Sequence, residues 1–75
     1  MKESYPIVLI PEAEGGFSVL VPDIDGCITQ GDTVEEAIAN AKDAIELMLE
    51  DYRERGLAAP RATSRIMNVD VQIFA

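Results

Sequence analysis

The residues that could take part in the widest range of chemistry lie in one stretch, GCITQGDTVEEA, which runs from Gly26 to Ala37. Two glycines bracket a cysteine and a short β-branched run, and acidic residues follow. Such a stretch could cradle a phosphate on backbone N–H groups, carry a cysteine nucleophile, or form a short strand and start a helix. The residue types favour the third interpretation.

A phosphate site at this position would meet negative charge. Asp32, Glu35 and Glu36 would occupy the first turn of the helix, and no nucleotide-binding glycine motif is present. Thr33 and Glu36 instead have the spacing of a capping box, in which the hydroxyl accepts a backbone N–H and the carboxylate reaches back. We therefore predict a structural helix N-cap at Thr33 and Glu36.

Nucleophilic and metal chemistry are equally poorly supported. The chain contains no histidine, so Cys27 cannot form a cysteine–histidine pair, and we predict that it is a small buried hydrophobic residue. The turn before Gly26 weakly resembles a calcium loop. However, the first and twelfth loop positions would fall on Val21 and Asp32, where the motif requires an acid and a glutamate. No catalytic residue, metal site or cofactor is predicted.

A metal-dependent nuclease is the sharpest enzymatic alternative, because the chain carries 14 acidic residues. Among them, only Asp70 falls squarely within a predicted strand, and a single carboxylate cannot clamp two metal ions. We predict that the protein is not an enzyme. A magnesium titration with assays for nucleic-acid cleavage would test this alternative.

Three strands are predicted in the first half of the chain. Residues 5–10 form a nearly continuous apolar run, which predicts a strand covered on both faces. Residues 17–21 alternate and predict the second strand of a hairpin, and residues 27–30 predict a short third strand.

A helix and a fourth strand are predicted in the second half. From Thr33, apolar residues recur with helical spacing as far as Gly56, which is a favourable helix stop. Residues 67–73 alternate strictly and predict a half-buried strand. The predicted order is β-β-β-α-β in a single domain spanning residues 1–75. Its class is α+β, with a single layer of antiparallel sheet packed on one helix.

The net charge limits the kinds of partner that the protein can bind. The formal charge is −8, from 14 acidic and 6 basic residues, which repels nucleic-acid phosphates and attracts basic partners. No apolar run approaches the roughly 18 residues of a membrane span, and the N-terminus lacks the layout of a signal peptide. We therefore expect a cytoplasmic location without membrane association.

The residues assembled above resemble the HicB family of bacterial and archaeal antitoxins. The resemblance runs from about residue 5 to residue 60, and its most specific part is PDxxGCxTxGDTxEEAxxNA at residues 22–41. The Gly-Gly-Phe hairpin at residues 15–17 fits, as does the stop at Gly56 with Pro60 after it.

The resemblance implies a partial RNase H-like fold and a role in a type II toxin–antitoxin system. The partner it implies is a small basic HicA toxin, which cleaves RNA with a histidine and which the antitoxin blocks by direct contact. Two departures stand out. The family often has proline where this chain has Asp25, and many members carry a C-terminal DNA-binding domain. This sequence stops at Ala75 without one, so direct DNA binding is not expected.

Exposed acids in the turns are the predicted partner contacts. We expect Asp23 and Asp25 first, then Glu12 and Glu14, although each is equally well explained as a solvated turn residue. A homo-oligomer, either a dimer or a tetramer, is expected because the last strand is predicted near a sheet edge. The alternative function is a stand-alone, self-assembling regulatory or ligand-binding domain without a toxin partner.

Overall fold

The structure is a computed structural model that describes residues 2–74. Three short strands, β1 (Val8–Pro11), β2 (Phe17–Leu20) and β3 (Ile28–Gly31), precede one long helix, α1 (Val34–Glu54). The strands form an antiparallel sheet in the order β1-β2-β3. The predicted α+β class, a single layer of antiparallel sheet packed on one helix, is confirmed, and the RNase H-like likeness stays a prediction.

The register of the sheet places alternate side chains of β2 under the helix. Val19 lies opposite Leu9 on one side and Thr29 on the other, and it is completely buried. The hairpin turn between β1 and β2 is closed by backbone hydrogen bonds between Glu12 and Gly16 and between Gly15 and Glu12. Both glycines have positive φ, which a tight turn of this kind requires.

Small residues on α1 let the helix approach the sheet closely. Ala37 and Ala41 are buried against Val19 near the start of the helix. A second buried cluster, formed by Val21, Ile24 and Cys27, lies under the C-terminal half of the helix. The helix is also tied to β3 through the amide of Asn40, which donates to the backbone oxygen of Gln30 at 2.7 Å.

The predicted fourth strand does not form within the described residues. Residues 67–73 are outside any strand, and every side chain from Arg65 to Phe74 is exposed, Val69 by 80% and Ile73 by 88%. This part of the prediction is wrong for the single chain. Alternation predicts which side chains share a face, but a strand forms only where a neighbouring strand supplies hydrogen bonds.

The prediction that residues 5–10 are covered on both faces is also wrong. The helix covers one face of the sheet, and on the other face Ile10 and Ile28 are exposed by 42% and 66%. The regular strand begins only at Val8. A continuous apolar run indicates a preference for burial on both faces, but it does not supply the second layer that would bury them.

Candidate partner-binding surface

The four acidic residues predicted to contact a partner lie in two different turns. Glu12 and Glu14 are in the turn before β2, whereas Asp23 and Asp25 follow that strand. Since β2 separates the two turns, the pairs lie at opposite ends of the sheet. The structure therefore does not bring the four predicted residues together.

The hairpin turn instead lies beside the start of the helix. A Cβ added at Gly16 would be 3.4 Å from the Cα of Asp32, so the two segments are in contact. This brings together five exposed acidic residues, which we call the acidic end: Glu12, Glu14, Asp32, Glu35 and Glu36. None of the six basic residues of the chain belongs to it.

Two carboxylates of the acidic end also have structural roles. The Ser18 hydroxyl donates to Glu12, and the backbone N–H of Asp32 donates to Glu36 Oε1 at 3.3 Å. Thr33 is the N-cap of α1, and its hydroxyl oxygen accepts the backbone N–H of Glu36 at 3.1 Å. The negative charges near this helix start also interact favourably with the helix dipole.

Asp23 holds a distant part of its own chain. Its carboxylate accepts the backbone N–H of Ser64 at 3.1 Å and the Ser64 hydroxyl at 2.6 Å, and it lies 3.4 Å from the Thr63 hydroxyl. These hydrogen bonds, chiefly that from the Ser64 side chain, hold the pKa of Asp23 below its ordinary value. Asp25, two residues later in the same turn, is exposed.

Two further hydrogen bonds hold the segment that follows the helix. The Tyr5 hydroxyl donates to the backbone oxygen of Pro60 at 2.6 Å, and the N–H of Ala62 donates to Glu3 Oε1 at 3.2 Å. Burial and then the charges of Glu3 and Asp23 raise the pKa of the Tyr5 hydroxyl. Sequence reasoning missed this anchoring, because local patterns do not show which residues meet across such separations.

The cysteine has the environment of a structural residue. Cys27 is buried, and desolvation raises the pKa of its thiol, which disfavours the reactive thiolate. Within residues 2–74, no three histidine, cysteine, aspartate or glutamate side chains are grouped so that they could hold a metal ion. The single helix of the described part is neither apolar enough nor uncharged enough to cross a membrane.

The fold and the charge distribution define a small acidic α+β domain whose exposed groups suit binding to another protein. Residues 5–72 match the family described as HicB_like antitoxin of bacterial toxin-antitoxin system. The match covers most of the 75 residues, and the chain therefore belongs to the HicB-like antitoxin family.

Curated relatives give the same family. The chain is 50% identical over 50 residues to Antitoxin HicB 1 of Photorhabdus laumondii, covering 67% of this chain and 32% of that protein. Antitoxin HicB of Escherichia coli K12 is 46% identical over 50 residues, with 67% and 36% covered. A UPF0150 protein of Synechocystis is 35% identical over 66 residues, covering 88% of this chain and 90% of the relative. The chain thus spans about a third of the named antitoxins.

Proposed function

We propose that this chain is an antitoxin-like binding domain that neutralises a small basic HicA-type toxin by direct contact. The observation that carries the proposal is the family match over residues 5–72. The domain acts by occupying the surface with which the toxin would bind RNA, so it needs no catalytic group or cofactor of its own. Since that toxin cleaves cellular RNA, the proposed site of action is the cytoplasm.

Electrostatics supports a basic partner. The formal charge of −8 gives the domain a long-range attraction for a basic protein and a repulsion for nucleic acid. Charges of this kind mainly accelerate association and select the partner, whereas packed contacts set the dissociation rate. We therefore propose acidic residues as steering contacts, and we do not propose that this domain binds DNA.

The acidic end is the surface that we propose for the toxin. Glu12 and Glu14 lie there beside Asp32 and Glu35, so four carboxylates can act on one basic patch. Asp25 is exposed at the other end of the sheet and defines the alternative contact surface. Asp23 is the least available of the predicted contacts, since hydrogen bonds from Ser64 occupy its carboxylate.

Co-expression with the product of a neighbouring reading frame, chosen for being short, basic and histidine-containing, tests the proposed function. Rescue of growth and co-purification of a complex would support it. Absence of both toxicity and a complex would overturn it. A full-length wild-type chain is used throughout, so the result does not depend on any variant folding correctly.

Charge reversal then tests the proposed surface. We expect Glu14→Lys with Glu35→Lys to lower the association rate at least about tenfold at low salt. The matched control is Glu50→Lys with Glu54→Lys, which makes the same change in net charge in the last part of α1. Equal slowing by both double variants would show that only net charge matters, and no slowing by either would place the toxin elsewhere.

A second candidate function is supported by the exposed apolar residues after Ser64. A stand-alone regulatory or ligand-binding domain that self-assembles would use those residues without any toxin. A homo-oligomer, either a dimer or a tetramer, is proposed under both functions. The two are separated by the co-expression experiment, since only the first requires a neighbouring toxin.

A further inference from the structure

The last part of the described chain is an apolar arm without a covering layer. We define the arm as residues 66–74, in which Met67, Val69, Val71 and Ile73 alternate with polar residues and are exposed by 69–88%. A period of two is the pattern of a strand with one buried face. The arm therefore has the side-chain pattern of a strand but lacks the neighbour that a strand requires.

The dimensions of the molecule show that the arm projects from the domain. The radius of gyration is 14.7 Å and the longest extent is 52 Å. A compact domain of this length has a radius of gyration of about 11 Å. An exposed apolar segment of this kind normally marks an interaction surface in a soluble protein.

A groove that fits such a strand lies between the segment that leads into β1, residues 2–5 and Ile7, and one side of α1. Its volume is about 600 Å³, and its apolar lining includes Ile7, Ile38, Ala41, Ile45 and Leu49. Within residues 2–74, β1 pairs only with β2, so its outer edge has backbone groups available for another strand. Pro6 and Pro11 lack N–H groups and confine that pairing to residues 7–10.

The groove is a better binding site for an added strand than the exposed outer face of the sheet. Ile10, Leu20 and Ile28 on that face present only side chains, so an arm lying across them would leave its own backbone groups without partners. Beside the groove, the free edge of β1 can pair with the backbone of an added strand, and the apolar lining can receive the alternate side chains of that strand. Both requirements of a half-buried strand are thus met at one place.

Hydrogen bonds hold the connector, which we define as residues 57–65 between α1 and the arm, at one end of the sheet. Pro60 is held by Tyr5, just before β1, and Ser64 is held by Asp23 in the turn after β2. Tyr5 and Asp23 lie at the same end of the sheet, because Val8 pairs with Leu20, and the arm that follows Ser64 is exposed and in no strand, so it does not occupy its own groove. The groove is therefore open to the arm of a second copy, which can approach it from outside.

We infer that two copies of this chain exchange their arms. Residues 66–74 of one copy add to the β1 edge of the other, and their apolar side chains fill the groove between Ile7 and α1. Twofold symmetry makes the contact reciprocal, so each dimer contains two arm–groove interfaces. This inference concerns self-association and does not depend on the toxin, so it can fail while toxin binding succeeds.

The inference is tested by measuring the self-association of the wild-type chain and of four variants by analytical sedimentation. We expect the wild type to dimerise, and both Val71→Asp in the arm and Ile38→Asp in the groove to weaken dimerisation by roughly a hundredfold, since each change occurs twice per dimer. Gln72→Asp and Leu47→Asp are the matched controls and should still dimerise. The side chain of Gln72 lies on the face of the arm opposite to that of Val71. Leu47 is an exposed helix residue outside the groove lining.

The four substituted side chains are exposed by more than half or lie on the exposed arm, so the variants should keep the wild-type circular dichroism spectrum. A monomeric wild type would overturn the inference. A dimer that loses affinity with Val71→Asp but not with Ile38→Asp would also overturn it, because the arm would then dock elsewhere or pair with its symmetry mate.

Isotope-filtered NMR on a mixture of ¹³C-labelled and unlabelled full chain distinguishes exchange from folding back. The inference predicts nuclear Overhauser contacts between chains, from the Val69 and Val71 methyl groups to those of Ile38 and Ile45. Contacts of the same methyl groups within one chain only would show that the arm occupies its own groove. Contacts between two arms only would show arm–arm pairing, and either result overturns the exchange.

Discussion

Gly31 and Ala37 are in direct backbone contact where α1 lies against β3. A Cβ added at Gly31 would be 2.4 Å from the backbone nitrogen of Ala37 and 2.6 Å from its Cα. Ala37 itself is completely buried. The second glycine of the GCITQG segment is therefore needed because no side chain fits beneath the first turn of the helix.

Gly31→Ala should destabilise the fold by about 1–3 kcal/mol, the usual cost of overpacking a core. The clash is with backbone atoms, so no change of rotamer relieves it. Urea unfolding measures the effect. Gly26→Ala is the control, because Gly26 has a φ of 74° but nothing within 4 Å of an added Cβ. If Gly26→Ala proved the more costly of the two, backbone conformation and not close packing would dominate in this loop.

Thr33→Ala should lower the unfolding free energy by about 1 kcal/mol, the typical cost of losing an N-cap hydroxyl. The Thr33 hydroxyl oxygen accepts the backbone N–H of Glu36, and alanine would leave that donor without its partner. Thr33→Ser keeps the hydroxyl and should remain close to wild type. Equal unfolding midpoints for the alanine and serine variants would contradict a capping role for the hydroxyl.

Acidification should release the connector from Asp23. The pKa of Asp23 is lowered from 3.8 by hydrogen bonds from Ser64, so the folded protein binds this proton less readily than the unfolded chain. The stabilisation is therefore fully present above about pH 4 and is lost as the pH falls through the folded pKa. NMR titration of the Asp23 carboxyl should give a midpoint below pH 3.8. The amide resonance of Ser64 should move over the same pH range, as its hydrogen bond to Asp23 is lost.

Asp23→Asn provides the matching stability experiment. In this variant, the free energy of unfolding should depend less on pH below pH 3.8 than it does in the wild type. Asp25→Asn is the control, since it removes the same charge from an exposed position in the same turn. A wild-type dependence that survives Asp23→Asn unchanged would show that other carboxyl groups account for acid unfolding.

Salt should affect the two proposed associations in opposite directions. Binding of a basic toxin to a domain of charge −8 should weaken as ionic strength rises, because salt screens the attraction. Dimerisation brings two acidic copies together, so salt should strengthen it by screening their repulsion. Sedimentation and toxin-binding kinetics at about 50 and 500 mM salt measure both effects, with the Debye length falling severalfold between them. A dimer weakened by salt would point to ion pairs across the interface and not to apolar arms.

Local patterns were sufficient for the elements whose partners are close in sequence. The hairpin, the third strand and the helix were predicted within a few residues of their observed bounds, because turn glycines, alternation and helical spacing act locally. The burial of Cys27 is also predicted correctly, since a cysteine that has no histidine to pair with behaves as a small hydrophobic residue.

The candidate partner-binding surface is harder to predict from local sequence patterns. The sequence predicts the turn residues Glu12 and Glu14 as partner contacts, but it does not predict that their turn lies beside Asp32. The sequence predicts Asp23 as a partner contact, but it does not predict the hydrogen bond that Asp23 accepts from Ser64, 41 positions later. Such contacts depend on how the sheet and helix are stacked, which no local periodicity records.

The strand and helix preferences of the segments, the acidic charge and the family can all be recognised from the order of the amino acids. The contact of the turn before β2 with the helix start, and the hydrogen bonds of Asp23 to Ser64, appear only in the folded chain. The same is true of the finding that, among residues 2–74, no strand lies beside residues 67–73. The physical reason is that propensity, charge and alternation belong to residues and their near neighbours. Pairing and burial, in contrast, exist only when a second element, or a second molecule, supplies the complementary edge.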